Sequence, residues 1–216
     1  VNENRQDGPH VHSVVLDQTG RYAFATDLGI DKVLIYHFDP SEGRLTPAEH
    51  SSVRVVAGAG PRHFAFHPQG RYAYLMNELN STLTVFGYDR NTGSLTEVQS
   101  VPALPSGFVD TSYAADVQIL PSGAFLYTTN RGHDTIGVFA IDQDTGQLTE
   151  VGYEPAGGAW PWNLAIDPTS HFLLVANQDS DRVVVFRIDQ GTGRLMATKF
   201  GVHVPKPVCV KFAVRS

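Results

Sequence analysis

Cysteine is almost missing from this chain: Cys209 stands alone among 216 residues, so no internal disulfide can form and a reducing cytoplasm is the simplest setting. Long apolar runs are missing too. None approaches the roughly 18 residues that a membrane span requires, and no segment shows the 3.6-residue spacing of an amphipathic helix. The amino terminus, Val1 to Gln6, is polar and lacks the apolar centre of a signal peptide. Charge is sparse at 18% of residues, the net charge is -6, and the 16 lysines and arginines are scattered. That pattern excludes nucleic acid as an expected partner. What is present is a 42% hydrophobic composition over a length sufficient to bury a core.

The hydrophobic residues are arranged in a repeat. Ser13 to Thr46 is echoed without gaps at His63 to Thr96, Asp116 to Thr149 and Asn163 to Met196. With Gly20, Gly70, Gly123 and Ser170 as reference, Asp27, Asn77, Asn130 and Asn177 stand seven residues on, and Asp39, Asp89, Asp142 and Asp189 follow twelve later. Gly43, Gly93, Gly146 and Gly193 close each unit, at intervals of 50, 53 and 47 residues.

Each unit reads as two short apolar strands around a tight turn, a third strand, and a short fourth strand after Asp-x-x-x-Gly. The aspartate accepts backbone N–H groups and the glycine takes positive φ, which is hairpin chemistry. Four antiparallel strands per unit describe an all-β fold, a β-propeller of four recognisable blades. A sandwich also suits the spacing but seldom repeats a four-strand unit so faithfully. Val208 to Phe212 reads as one more strand, which would close a ring of which this chain supplies the later part. The expectation is a single propeller domain over residues 1–216, without its amino-terminal blades.

Functional residues should stand where the repeat is broken. The positions eight before and eight after each turn reference face each other at the far end of the first hairpin: His12 with Leu28, Arg62 with Glu78, Ala115 with Arg131, Trp162 with Gln178. Blades share one orientation, so these residues should gather at one mouth of the channel. Two arginines, a glutamate and a histidine there suit an anionic substrate with an ester carbonyl, the arginines binding the anion and Glu78 or His12 moving protons. Arg62 and Glu78 could equally be a plain cross-strand ion pair, and Arg131 a structural salt bridge. Trp160 and Trp162 could wall the cleft or pack inside a blade. His10 and His12 share a face and could hold a metal, but no third ligand is evident, so neither metal nor cofactor is expected. His63 stands in a register that is polar in every blade, beside Ser13, Asp116 and Asn163, and reads as structural. Asp27, Asn77, Asn130 and Asn177 read as strand-end caps. The absence of a Gly-x-Ser-x-Gly elbow and the apolar setting of Cys209 disfavour covalent catalysis.

Several clustered motifs carry a family resemblance: Gly8-Pro9-His10-Val11-His12, Gly60-Pro61-Arg62-His63-Phe64-Ala65-Phe66-His67-Pro68, Asn77-Glu78-Leu79, Asn130-Arg131-Gly132-His133-Asp134, Trp160-Pro161-Trp162-Asn163 and Ala176-Asn177-Gln178-Asp179-Ser180-Asp181. Over nearly its whole length the chain resembles the lactonase family of seven-bladed propellers, which includes bacterial 6-phosphogluconolactonase and the fungal carboxymuconate lactonizing enzyme. The resemblance implies seven blades, of which about two and a half are absent here, and a small anionic lactone as substrate. In the muconate branch it implies a site of His12, Arg62, Glu78 and Arg131. His10 beside His12, Gln178 from the mouth pairs, and Trp160 and Trp162 as cleft walls are the further candidate substrate contacts. Hydrolysis of 6-phosphogluconolactone is the leading expectation; a muconate cycloisomerase and a noncatalytic binding propeller are the alternatives. Lysines at the mouth would favour phosphate, and none can be placed there.

Overall fold

A computed structural model describes residues 1–213. Among them sixteen strands form four antiparallel sheets, each of four consecutive strands in chain order. The first blade is β1 (Val11–Leu16), β2 (Tyr22–Asp27), β3 (Lys32–Asp39) and β4 (Arg44–Arg54). The second is β5 (Pro61–Phe66), β6 (Tyr72–Asn77), β7 (Thr82–Asp89) and β8 (Ser94–Pro102). The third is β9 (Tyr113–Ile119), β10 (Phe125–Arg131), β11 (Thr135–Ile141) and β12 (Leu148–Pro155). The fourth is β13 (Pro161–Ile166), β14 (Phe172–Asn177), β15 (Arg182–Ile188) and β16 (Leu195–His203), with one helical turn at Gln178–Ser180. The expected four propeller blades are therefore present, each as a four-stranded antiparallel sheet.

The turn chemistry follows the repeat. Asp39, Asp89, Asp142 and Asp189 each accept a backbone N–H two residues on, at 2.8–3.0 Å. Ser170, which replaces glycine in the fourth tight turn, adopts the same left-handed conformation at φ 65°. One correction concerns the fourth strands, which run 8–11 residues and are not short. They form the outer edge and are largely exposed, so they carry few of the apolar residues by which a strand is recognised.

Successive blades lean on one another. Tyr22, Phe24, Val33 and Ile35 pack on Phe64, Leu75, Phe86 and Tyr88; Tyr74, Met76 and Val85 pack on Val117, Leu126 and Phe139; Tyr127, Ile136 and Val138 pack on Leu164, Val175 and Phe186. Blades two and three are therefore apolar on both faces, so β6 and β10 are buried almost throughout. A buried phenylalanine such as Phe86 or Phe139 contributes about 1.5–3 kcal/mol through burial. The first strands β1, β5, β9 and β13 lie beside one another in turn and line the inner, channel side.

Val208 to Phe212, expected as the first strand of a further blade, pairs with no strand among the described residues, which hold no other strand of that blade. Among them Val210 N–H donates to Asn163 Oδ1 at 2.7 Å.

Candidate active site

The mouth residues are set by a bulge that recurs in all four blades. Val11 pairs with Asp27 but Ser13 with Thr26, Pro61 with Asn77 but His63 with Met76, and Pro161 with Asn177 but Asn163 with Ala176. In the third blade Ala115 and Asp116 together oppose Thr129. The extra residue is the one eight before the turn reference: His12, Arg62, Ala115 or Trp162. This corrects the expected cross-strand pairs. The residue eight after the reference instead bonds ten before it, Glu78 N–H to the Gly60 carbonyl at 2.8 Å and Gln178 N–H to that of Trp160 at 3.0 Å. A bulge re-aims its side chain, and here it turns the residues that differ between blades toward one place.

That place is Glu78. Arg62 Nε and Arg131 Nη2 each donate to its Oε2 at 2.8 Å, and Arg5 Nη2 donates to Oε1. Arg62 is wholly buried; its Nη1 also donates to the Ala115 carbonyl and to His63 Nε2. Arg131 donates from Nε to the Tyr113 carbonyl at 3.2 Å and from Nη2 to that of Ala114 at 3.3 Å. Trp162 covers Arg131 at 4.6 Å and Arg62 at 5.5 Å, while Tyr113 and Trp160 each lie 5.9 Å from Arg131. The tryptophans are half-buried, and both wall the site by stacking on guanidinium groups.

Three cations thus surround one carboxylate. Burial alone would raise the Glu78 pKa, but Arg131, Arg5 and Arg62 together bring it below the ordinary value. Burial, then the like charge of Arg131, lowers Arg62 to about 10 against the opposing pull of Glu78. Arg131 is lowered in the same way, first by burial. At neutral pH Glu78 is a charged anchor for guanidinium groups. A carboxylate so stabilised is a poor proton acceptor.

His12 is the acceptor that solvent can reach, since Glu78 is buried and its oxygens are occupied by arginines. Desolvation, then the positive charge of Arg62 and the neighbouring His63, holds its imidazole down to about 4, with Glu78 opposing. One side of the ring remains open to solvent, which tempers the desolvation. The ring packs edge-on against His63 at 5.2 Å. His63 Nδ1 lies 2.6 Å from Asp116 Oδ1, and Asp116 Oδ2 accepts from the Asn163 side chain and from Leu164 N–H at 3.1 Å. Because Arg62 can only donate to Nε2, the proton of a neutral His63 sits on Nδ1. The polar register beneath the mouth is therefore a hydrogen-bonded belt, as its repetition implied. Asp27, Asn77, Asn130 and Asn177 likewise tie strand ends: Asp27 Oδ1 accepts His10 N–H at 2.7 Å, and Asn130 and Asn177 donate to the carbonyls of Ala103 and Ala156 at 2.8 and 2.9 Å.

The other expected contacts are peripheral. His10 is exposed and bonds to Asp7 at 2.6 Å, away from the carboxylate centre, and the Gln178 side chain makes no hydrogen bond to it. No group of three His, Cys, Asp or Glu side chains among the described residues converges as metal ligands would. Arg5 and Tyr113 are the site members that the repeat could not reveal. Arg5 lies in the segment before the first unit, where there is no equivalent position to compare. Tyr113 aligns with His10, Gly60 and Trp160, and that variation is its only signal.

The family model for the seven-bladed β-propeller lactonases matches residues 1–212. The 6-phosphogluconolactonase of Bacillus subtilis (strain 168) is 41% identical over 208 residues, covering 96% of this chain and 58% of that protein. The 6-phosphogluconolactonase of Pectobacterium carotovorum is 40% identical over 144 residues, 67% of this chain and 43% of that one. Among solved structures, the periplasmic gluconolactonase of Pseudomonas aeruginosa superposes with a TM-score of 0.91 at 38% identity, covering 97% of this chain and 58% of that one. The chain thus matches 43–58% of the length of these relatives.

Proposed function

Since the chain belongs to the seven-bladed β-propeller lactonase family, we propose that the protein it represents hydrolyses a sugar-acid lactone, 6-phosphogluconolactone being the first candidate. The observation that carries this reading is the neutral, solvent-reachable imidazole of His12 beside a carboxylate held by three arginines. His12 takes a proton from water as the water oxygen attacks the lactone carbonyl, and the nearby guanidinium charge stabilises the oxyanion that develops. Collapse of that intermediate breaks the ring C–O bond. The imidazolium returns its proton to the departing oxygen, leaving a hydroxy acid that ionises. Glu78 holds the guanidinium groups in place, and Trp160 and Trp162 wall the bound sugar ring. His10 borders the approach, and Gln178 contributes from the rim.

The convergence of Glu78, Arg131 and His12 favours an enzyme over a binding propeller, which would have no need of a cluster assembled from unequal positions. A cytoplasmic location is part of the same proposal, although the Pseudomonas relative is periplasmic; no helix among the described residues is long and apolar enough to cross a membrane. The test is a lactone hydrolysis assay of the full-length protein beside His12→Gln and Glu78→Gln. Loss of turnover in folded His12→Gln supports the reading. A folded, complete wild type that opens neither 6-phosphogluconolactone nor gluconolactone overturns it, and directs the next assay to muconolactone chemistry.

A further inference from the structure

The three arginines on Glu78 are not equivalent. The side chain of Arg62 is 0% exposed and that of Arg131 6%, whereas that of Arg5 is 40% exposed. The first two are enclosed by backbone carbonyls and indole rings; only Arg5 can meet a solute without rearrangement. It also borders a cavity of about 390 Å³ between the amino-terminal segment and β1, which Asn4, Asp7, His10 and His12 line as well. That volume is within the range of small-molecule sites. The imidazole that the mechanism needs and the one reachable guanidinium therefore share a single cavity. Arg62, the residue that the repeat singled out, does not line it.

The position of Arg5 is fixed in advance. Gln6 Nε2 donates to the Leu28 carbonyl at 2.9 Å and to Asp31 Oδ1 at 2.8 Å, and the same Asp31 accepts from Gly58 and Gly60 N–H at 2.7 and 2.9 Å. Arg5 N–H and Gln6 N–H close a turn on the Asn2 carbonyl at 3.0 and 2.7 Å, and the guanidinium lies over Tyr113 at 5.7 Å. A segment with no place in the repeat is pinned across two blades, and what it delivers to the mouth is one guanidinium.

Charge completes the case. Arg5, Arg62 and Arg131 outweigh Glu78 by two positive charges, with His12 neutral. Asp7, an exposed carboxylate lining the cavity, accepts from His10 and returns one negative charge, which leaves the mouth net positive. A phosphomonoester carries about -1.5 to -2 at neutral pH and is attracted by that excess, while an unphosphorylated lactone carries none. Resting on the lactonase reading, we propose that Arg5 is the residue that receives the phosphate of the substrate, so that it sets the preference for a phosphorylated over an unphosphorylated sugar lactone, while Arg62 and Arg131 serve to hold Glu78.

The experiment measures steady-state hydrolysis of 6-phosphogluconolactone and gluconolactone by full-length wild type, Arg5→Ala and Arg5→Lys, together with calorimetric titration by 6-phosphogluconate. Arg5→Ala should raise KM for the phosphorylated lactone and Kd for 6-phosphogluconate by about 10- to 100-fold, the size of a lost charge-assisted contact. The preference for the phosphorylated over the unphosphorylated lactone, taken as the ratio of their kcat/KM values, should fall by about the same factor; Arg5→Lys should recover part of the loss. Equal losses on both lactones, or no change on either, overturn the assignment. If wild type hydrolyses neither lactone, the enzymatic reading fails while the titration still decides the anion site. Arg5-dependent binding of 6-phosphogluconate sustains it, and absence of binding or Arg5-independent binding ends it. Glu78 keeps two arginines in the alanine variant, so a melting temperature near that of wild type is expected and serves as the folding control.

Discussion

The two ends of the first hairpin in each blade obey different rules. At the turn end the repeat is kept and the interactions repeat with it. Gly93, Gly146 and Gly193 sit at φ 71–72° with their Cα atoms against the rings of Tyr22, Tyr72 and Phe125 of the preceding blade. The Tyr74 and Tyr127 hydroxyls donate to the carbonyls of Gly146 and Gly193 at 2.9 and 3.0 Å, and at the register two residues earlier those of Tyr22 and Tyr72 donate to the carbonyls of Asn91 and Asp144. At the mouth end the backbone still repeats, bulge included, but the side chains do not. His12, Arg62, Ala115 and Trp162 differ in every property and act on one another across blades. One geometry, used for packing at one end and for chemistry at the other, separates stability from function along 20 Å or so of strand.

That separation can be broken from either side. The largest effect is expected for His12→Gln, which should lower kcat by about 10²- to 10⁴-fold while leaving the denaturant midpoint in place; loss of folding in step with activity would erase the distinction. Next is Glu78→Ala, the mouth substitution that should also cost stability. It strands the buried guanidinium groups of Arg62 and Arg131, and equilibrium unfolding should show a loss of about 3–5 kcal/mol. Gly146→Ala probes the opposite end. Positive φ and the adjacent Tyr72 ring should together cost about 1–3 kcal/mol, with the kcat of the remaining folded protein unchanged. Asn130→Ala removes a buried bond to the Ala103 carbonyl and should cost about 1 kcal/mol by the same unfolding measurement.

A further effect is one of pH. His12 has a folded pKa of about 4, below its value of 6.5 in an unfolded chain. The unfolded state therefore binds the extra proton first, so stability rises with pH between those values and changes no further above them. Activity should fall as pH drops through about 4, where the folded-state imidazole becomes charged. A pH–rate profile with no acid limb in that region, or one unaltered in His12→Gln, would remove His12 as the proton acceptor.

The sequence by itself determined the blades. Apolar runs, turn residues at fixed offsets and a unit near fifty residues long are local features, and local chemistry suffices to make a hairpin wherever Asp-x-x-x-Gly follows a strand. The repeat also brought out His12, Arg62, Glu78 and Arg131, because a broken symmetry is visible in a string of letters. Val208 to Phe212 has the composition of a strand, but a strand also needs a neighbour, and the described residues hold none for it. The site's inner order was equally out of reach. That Arg62 is sealed away, that Glu78 is an anchor, and that Arg5 arrives from outside the repeat to border the cavity all depend on which groups are desolvated together. Desolvation and charge coupling belong to the packed molecule, since they are set by neighbours on other strands and other blades, and only the tertiary structure decides who those neighbours are.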